Sequence, residues 1–223
     1  MLRPFNISIV CVNIIPVGTK YHMRPKSAKG TATKTKIIRV AADLFHKQGV
    51  GATSPDNIIE ASKTGKGQFY HYFKSKERLV HEVLQSHLQA IKAGTAPVNY
   101  DISSWQDLES WFLAQLELQK SFGMKRGCPF GTIGNEVKDG DELIRQDLSL
   151  IFEVMKSRLT AFFVREKAKS RLSRDVKEDK LADFCIAAAQ GAMLMGKIQR
   201  SSEVAEASLR EALSHLRSYI VTG

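Results

Sequence analysis

Apolar residues recur with the period of an α-helix along most of the chain. After Thr33, the residues Ile37, Ala41 and Phe45 fall on one helical face, and Gly49 marks the end of that helix. Later segments repeat this spacing, and none shows the sustained alternation of apolar and polar residues that is typical of a strand. The pattern therefore predicts an all-α protein.

Two short helices follow the first one. The sequence Ser-Pro-Asp at 54–56 is a helix start signal, with a hydroxyl cap, a proline at the first helical position and an acid near the positive end of the helix dipole. Lys-Thr-Gly at 63–65 predicts a turn, and residues 66–72 predict a second short helix. Ser75 is then expected to cap a longer helix that runs to about Ala93.

The rest of the chain predicts longer helices separated by loops. We expect one helix over 104–122 and another from Asp141 onwards. Asp175 and Glu178 resemble a capping pair for the penultimate helix, and the last helix follows residues 201–202. Residues 123–134 are rich in Gly and contain a Pro, so they are predicted to be a loop.

Positive charge is concentrated in the first part of the chain. Residues 20–92 contain fourteen Lys and Arg against five Asp and Glu, whereas residues 93–223 contain eighteen of each. A basic segment followed by a neutral remainder predicts that one end of the molecule meets a polyanion such as nucleic acid. A solvated basic surface without a partner is the alternative interpretation.

Two short helices joined by a three-residue turn are typical of a helix-turn-helix unit, whose second helix enters the major groove of DNA. A Gln amide can pair with adenine, a Lys can reach guanine or phosphate, and a Gly lets the backbone approach closely. Hydroxyls and lysines at helix N-termini can bind phosphate. The candidate DNA-binding residues are Ser54, Lys63, Thr64, Lys66, Gly67, Gln68, Tyr70, His71 and Lys76.

Residues 61–73, ASKTGKGQFYHYF, and the KSKERL that follows resemble the TetR/AcrR family of transcriptional regulators, whose pattern runs approximately AAGVSKGTLYxHFxSKExL. The resemblance extends over residues 35–79. It implies a homodimer that binds double-stranded operator DNA, by default as a repressor that a small-molecule or electrophile effector releases. By the same resemblance, family members contact bases or backbone at the positions of Gln68, Tyr70, His71 and Lys76.

The turn departs from that pattern at three positions. Lys63 stands where the family usually has Gly, Thr64 where a small apolar residue packs, and Gly65 where Ser usually caps the second helix. If position 63 adopts a positive φ, a Lys side chain there costs about 1 kcal/mol. We expect these changes to affect the turn geometry and not the presence of the motif.

These patterns divide the chain into three segments. Residues 1–32 are interpreted as a doubtful or flexible N-terminal extension, with Met23 as a candidate start. Residues 33–79 are predicted to be the helix-turn-helix DNA-binding domain. Residues 80–223 are predicted to be a helical domain for effector binding and dimerisation.

The apolar residues of the last two helices are candidates for a dimer interface. Small residues in the penultimate helix permit close helix packing, so both helices could form a four-helix bundle across a two-fold axis. The alternative is that both stripes face the core of one chain. The candidate interface residues are Leu181, Phe184, Ala188, Ala192, Met195, Leu209, Leu213, Leu216 and Ile220.

Aromatic and methionine side chains between the 104–122 and 141–171 segments are candidates for an effector pocket, although such a stripe is also typical of a plain core. The absence of a catalytic grouping favours a binding pocket over an active site. The candidate pocket residues are Trp105, Trp111, Phe112, Cys128, Phe130, Phe152, Met155 and Phe162.

Cys128 is also a candidate sensor of oxidants or electrophiles. It follows Lys125 and Arg126 and precedes a predicted short helical piece, and both features favour the thiolate. Residues 127–137, GCPFGTIGNEV, resemble a loop found in a TetR subgroup, some of whose members sense reactive compounds. The alternative is a small residue packed in a tight loop, and Cys185 is expected to be inert on its apolar helix face.

The sequence shows no grouping typical of an enzyme. Its three cysteines and six histidines lack zinc-ligand spacing, and its glycines fit neither a Walker nor a dinucleotide-binding motif. No apolar run approaches the ~20 residues of a membrane span. We expect a cytoplasmic protein with no metal, cofactor or membrane partner. Two alternatives stay open: a nucleic-acid-binding protein without sequence preference, and a helical small-molecule-binding protein without operator recognition.

Overall fold

The structure, a computed structural model, describes residues 28–221, so the predictions for residues 1–27 lie outside the described residues. Within this range the chain forms nine α-helices and one isolated antiparallel bridge, between Leu172 and Ile220, which confirms the predicted all-α class. The helices are α1 (Ala28–Gln48), α2 (Pro55–Ser62), α3 (Lys66–Tyr72), α4 (Lys76–Lys92), α5 (Trp105–Ser121), α6 (Pro129–Gly134), α7 (Glu142–Ala168), α8 (Glu178–Gln199) and α9 (Glu203–Arg217).

The described residues divide into two compact units. Unit 1 contains residues 28–97 and 129–149, and unit 2 contains residues 98–128 and 150–221. Unit 1 therefore includes α6 and the start of α7 in addition to the first four helices. The functional division at residue 79 stays a prediction, since compactness alone does not assign a role to either unit.

Unit 1 is organised around α1, which packs against α2, α4 and α6. Its apolar face buries Ile37 and Phe45 completely, together with Ile58 of α2 and Leu79 of α4. The predicted caps of α2 and α4 are present. Ser54 Oγ accepts a hydrogen bond from the Asn57 N–H at 3.1 Å, and Ser75 caps α4 in the same way.

The structure differs from the sequence prediction at three helix boundaries. Helix α1 begins at Ala28, because residues 28–32 continue the helix that was predicted from Thr33. The predicted loop at 123–134 contains α6, which Pro129 opens with a φ already suited to a helix. Lys177, and not Asp175, occupies the N-cap position of α8.

Two histidines on α4 respond to their surroundings in opposite directions. His87 packs edge-on against Phe130 of α6 at 5.3 Å between ring centroids, and burial lowers the pKa of His87 from 6.5 to about 4. His81 shares a 2.7 Å hydrogen bond with the buried Asp147, and this bond raises the pKa of His81. The stabilising effects of the two histidines therefore change in different pH ranges.

We expect acid to destabilise the fold through His87. Its pKa is lower in the folded than in the unfolded chain, so the unfolded state binds more protons as the pH falls below 6.5. Between about pH 7.5 and about pH 5, this single group should lower the free energy of unfolding by about 2 kcal/mol. Urea unfolding measures this effect. The free energy of unfolding of a His87→Leu variant should fall less than that of wild type between the two pH values, by the amount that His87 contributes.

His81→Gln is the matched control for that measurement. The raised pKa of His81 stabilises the fold below 6.5, and this stability is lost as the pH rises through the folded value. His81→Gln should therefore leave the change below pH 6.5 almost intact. Equal changes in His87→Leu and wild type would show that His87 titrates as freely as in the unfolded chain.

Unit 2 is built from α5, α8, α9 and the rest of α7, with α8 packed against both α5 and α9. Phe112, Phe162 and Cys185 are completely buried in its core. Among the helices of residues 28–221, only the 22-residue α8 is long and apolar enough to span a membrane, by length and composition alone. The core helix of a soluble protein has the same properties, and one face of α8 is such a core face.

Candidate DNA-binding site

Helix α3 presents most of its side chains to solvent. Phe69 is the exception: it is 2% exposed and packs against Phe73, with 5.8 Å between the ring centroids. Because a seven-residue helix is marginal alone, this anchor fixes which face of α3 points outward. The exposed candidates are Lys63, Lys66, Gly67, Gln68, Tyr70 and His71.

The turn before α3 has the conformation that the sequence predicts. Lys63 ends α2 in the left-handed region, at φ 50° and ψ 45°, which is unfavourable for a residue with a β-carbon. The Thr64 hydroxyl is 2.7 Å from Ser62 Oγ, so this half-buried side chain is engaged within the turn. Of these two candidates, Lys63 is therefore the more accessible.

Gln68 has a second role that its sequence position did not reveal. Its side-chain oxygen accepts a hydrogen bond from the Gly65 N–H at 3.2 Å and so caps α3. A two-bond pairing with adenine uses both the amide oxygen and the amide nitrogen. Gln68 can donate from Nε2 while it caps, and its oxygen has a second lone pair with which to accept from a base.

Ser54 and Lys76 lie at helix N-termini, as predicted. Ser54 is exposed at the start of α2, and Lys76 is the first residue of α4. Unpaired backbone N–H groups and the helix dipole make such positions favourable for phosphate. Lys66, at the start of α3, lies 3.7 Å from Asp56, but both side chains are well exposed and such a pair contributes little. Lys66 can therefore exchange its ion pair with Asp56 for a phosphate contact at little cost in free energy.

The aromatic pocket candidates of unit 2 lie in a packed core. Trp105 packs edge-on against Phe162 at 5.3 Å between centroids and donates from Nε1 to the buried Glu166 carboxylate at 3.1 Å. Trp111, Phe112 and Met155 are buried, and Phe152 is half-buried. Phe130 belongs to unit 1, where it meets His87. The buried position of the unit 2 candidates agrees with the alternative of a plain core. Their role in an effector pocket stays a prediction.

An open groove of about 630 Å³ runs along the outer side of α7 in unit 2. Lys156, Ala161 and Val164 line it together with Asp179 of α8. The aromatic candidates predicted from the sequence do not line this groove. Its residues are mainly surface positions of α7, which the sequence pattern gave no reason to select.

Cys128 has a more specific environment than the sequence predicted. The Gln190 side chain donates to its sulfur at 3.3 Å, and Cys128 is 8% exposed. Arg126, one of the two neighbouring cations, stacks over the Phe122 ring at 4.3 Å. Gln119 donates to the carbonyls of Arg126 and Met193, so the loop is tied to α8 beside the thiol. Cys185 is completely buried, and burial raises the pKa of this thiol.

The predicted dimer residues differ in burial within the protomer. One group is buried within one chain and forms the α8–α9 core, in agreement with the alternative stated for these stripes: Leu181, Ala192, Leu209, Leu213 and Leu216. Ile220 follows the end of α9 and is half-buried by its bridge with Leu172. Phe184 and Met195 are exposed, and Ala188 is half-buried.

The exposed members belong to a continuous apolar stripe on α8, which we call the α8 face: Phe184, Ala187, Ala188, Gly191, Leu194, Met195 and Ile198. Leu194 is 48% exposed and Ile198 is 65% exposed. Spacings of three and four residues place these side chains on one side of the helix. The sequence prediction missed Leu194 and Ile198, although the same spacing connects them to Phe184.

An exposed recognition helix, a left-handed turn and two capped helix N-termini beside it define a helix-turn-helix DNA-binding protein of the transcriptional regulator class. A family model described as bacterial regulatory proteins of the tetR family matches residues 37–83, and a tetracyclin repressor-like C-terminal domain model matches residues 106–212. The two matches together span more than half of the chain. The chain therefore belongs to the TetR family.

Individual relatives agree with this assignment. The HTH-type transcriptional repressor DhaR from Mycobacterium sp. (strain GP1) is 27% identical over 175 residues, which cover 78% of this chain and 86% of DhaR. The HTH-type regulator QacR from Staphylococcus aureus is 36% identical over 84 residues, which cover 38% of this chain and 36% of QacR. The Rhodobacter sphaeroides TetR protein has a similar fold, with a TM-score of 0.73, 22% identity, and coverage of 85% and 99% of the two chains.

Proposed function

We propose that this protein is a homodimeric repressor that binds double-stranded operator DNA and is released by a small-molecule or electrophile effector. The observation that carries this proposal is helix α3, whose polar side chains are exposed while Phe69 anchors it. An exposed helix of this kind can enter the major groove. The name of DhaR supports repression over activation. Binding, and not catalysis, is the proposed activity, and the cytoplasm is its proposed location.

The residues around α3 divide into two proposed roles. Gln68, Tyr70 and His71 face outward from the recognition helix and are assigned to base edges, with Gly67 leaving room for the backbone. The second group is assigned to phosphate, where it sets affinity and register: Ser54, Lys63, Lys66 and Lys76. Thr64 is assigned to the turn itself because its hydroxyl is bonded to Ser62.

Dimerisation is proposed to use the α8 face. An exposed stripe that includes Phe184, Leu194 and Ile198 would be costly to leave in water, and its small central residues permit close helix packing. A two-fold axis through this face would pair α8 with its copy. The buried leucines of α9 support the stripe from inside the protomer.

The effector is proposed to act on unit 2 beside Cys128. A thiol that is 8% exposed and accepts a hydrogen bond from Gln190 can be reached by a small electrophile after a modest opening of its loop. A non-covalent effector is proposed to use the aromatic residues in the core of unit 2.

A gel-shift titration with the DNA upstream of the protein's own gene tests the proposal. Tight, sequence-dependent binding by a dimer is the expected result. Binding that is equal on random DNA and weakens steeply with salt would instead favour a nucleic-acid-binding protein without sequence preference. An absence of binding at low salt would favour a small-molecule-binding protein that does not recognise an operator.

Two variants should separate base recognition from phosphate binding. We expect Gln68→Ala to relax base preference at the operator, because the amide that reads a base is lost. We expect Lys76→Ala to weaken binding to all sequences and to flatten the salt dependence by about one unit, because one phosphate contact is lost. Fluorescence anisotropy on operator and random DNA over a range of salt concentrations measures both effects.

Lys125→Ala provides a matched control, since this exposed lysine lies in unit 2 and is assigned no DNA contact. Its salt dependence should equal that of wild type. Because Gln68 also caps α3, the helicity of Gln68→Ala should be compared with wild type by circular dichroism. Equal losses on operator and random DNA for a folded Gln68→Ala would remove Gln68 from the base-reading group.

A further inference from the structure

A carboxylate from outside the helix-turn-helix binds the turn that leads into it. The Gly51 N–H donates to Glu136 Oε2 at 2.5 Å, although the two residues are 85 positions apart. Both belong to unit 1, in which α6 packs against α1. A hydrogen bond from a backbone N–H to a carboxylate is charge-assisted and stronger than a neutral one. The proposed DNA contacts, dimer interface and effector site do not involve this hydrogen bond.

The glycines of this turn leave the space that Glu136 occupies. Gly49 has a φ of +86°, and a Cβ placed there would overlap Glu136 Oε1. Gly51 has no such positive φ, so its backbone does not require glycine. A Cβ at Gly51 would lie 3.2 Å from Glu136 Oε2, which is tighter than ordinary contact. The backbone conformation favours glycine at position 49, whereas at position 51 the missing Cβ leaves room for the carboxylate beside the N–H.

Hydrogen bonds within the 49–53 turn, which contains Gly51, connect this turn to the start of α2. The Thr53 hydroxyl donates to the Gly49 carbonyl at 2.7 Å, and the Thr53 N–H donates to the Val50 carbonyl at 3.2 Å. Thr53 is completely buried and is followed by Ser54, the N-cap of α2. A displacement of Gly51 would therefore be transmitted to this cap.

The same turn also meets α4. Lys76 Nζ lies 3.5 Å from the Gly51 carbonyl oxygen, so the N–H and the carbonyl of Gly51 point to α6 and α4 respectively. Glu136 lies two residues after the end of α6, and α6 begins at the residue after Cys128. The two backbone polar groups of Gly51 thus contact two different segments of unit 1.

We infer that Glu136 is a positioning residue for operator binding, which fixes the 49–53 turn and thereby the N-terminus of α2 through its bond to Gly51. This inference rests on the proposed DNA-binding function. The bond belongs to the DNA-binding form, and a shift of α6 that breaks it frees the turn. Glu136 itself need not touch DNA.

Hydrogen exchange on the full-length protein tests the inference without any effector. In Glu136→Ala, we expect the backbone amides of residues 50–54 to exchange about threefold faster or more, because the turn loses its long-range contact. The operator affinity of this variant should fall about fivefold. Glu136→Gln keeps an oxygen that can accept from Gly51, so it should remain within about twofold of wild type in both measurements.

Asp139→Ala is the matched control, since it removes another exposed carboxylate three residues further along the same loop. It should behave as wild type. If Glu136→Ala and Glu136→Gln both bind DNA more tightly than wild type, the carboxylate acts only by repelling phosphate and the inference is wrong. It is also wrong if exchange and affinity are unchanged in Glu136→Ala while wild type binds its operator. Wild type that binds no DNA contradicts the proposed function, whereas the exchange measurement still tests the contact itself.

Discussion

A Gly191→Glu variant should be a monomer that has lost more than about 100-fold in operator affinity. Gly191 lies at the centre of the α8 face, and apart from its chain neighbours and the nearby backbone of α8, no atom of the described protomer lies within 4 Å of a Cβ placed there. The substitution should therefore leave the protomer folded, while a carboxylate enters the proposed interface. Because a dimer binds two half-sites together, a monomer loses the second site entirely. Light scattering after gel filtration gives the oligomeric state, and anisotropy gives the affinity.

Gly140→Glu is the control, because this exposed glycine of unit 1 also has no atom within 4 Å of a Cβ placed there. It introduces the same side chain away from the α8 face and should remain a dimer. A Gly191→Glu protein that stays dimeric at micromolar concentration would show that the chain dimerises through a different surface. The apolar α8 face would then need another explanation.

N-ethylmaleimide should release wild-type protein from its operator and should have no such effect on Cys128→Ser. The reagent adds a bulky group to the sulfur, and this group breaks the hydrogen bond from Gln190. The thiol is only 8% exposed, so the packed residues around it leave no space for the added group. The loop that Gln119 ties to α8 must then move. We expect the affinity of the alkylated wild type to fall about tenfold or more. Anisotropy before and after treatment, with adduct mapping by mass spectrometry, measures the effect.

The other cysteines serve as controls for this experiment. Cys185→Ala should keep the response, because that thiol is completely buried and its raised pKa keeps it protonated. Cys11→Ser controls for the cysteine at the N-terminal end of the sequence. Release of Cys128→Ser by the reagent would exclude Cys128 as the sensor, while the DNA-binding proposal would stand.

Local signals in the sequence predict the helix-turn-helix well. A hydroxyl followed by proline starts α2, Ser75 starts α4, and both caps form as expected. The family pattern also indicated a left-handed residue at position 63, which the structure confirms. These features depend on residues a few positions apart, so one sequence contains the information needed to predict them.

Helical spacing predicts which residues share a face but not what that face meets. The leucine stripe of α9 was expected at a dimer interface, yet Leu209 and Leu216 are buried inside one chain. The exposed α8 face contains Leu194 and Ile198, which have the same apolar character and the same spacing. Only the packing of α9 on α8 distinguishes the two stripes, and that packing is a long-range property.

Contacts between distant segments were the least predictable part of the site. Glu136 and Gly51 are 85 residues apart, and no sequence motif connects the two positions. Gln190 lies 62 residues from Cys128, whereas the sequence suggested that nearby cations would set the environment of the thiol. Gln68 illustrates a different difficulty, since its capping bond depends on the φ and ψ of Gly65.

Gly67 shows that part of α3 is not optimised for the stability of the protein alone. Glycine inside a helix costs about 1 kcal/mol relative to alanine. A Cβ at this position would meet no atom within 4 Å, so alanine would fit without any rearrangement. The missing side chain leaves the backbone open on the exposed surface of α3, and the proposed double helix is the surface that would come close to it. Glycine at position 67 therefore lowers the stability of α3 and allows the proposed DNA to approach the helix backbone closely.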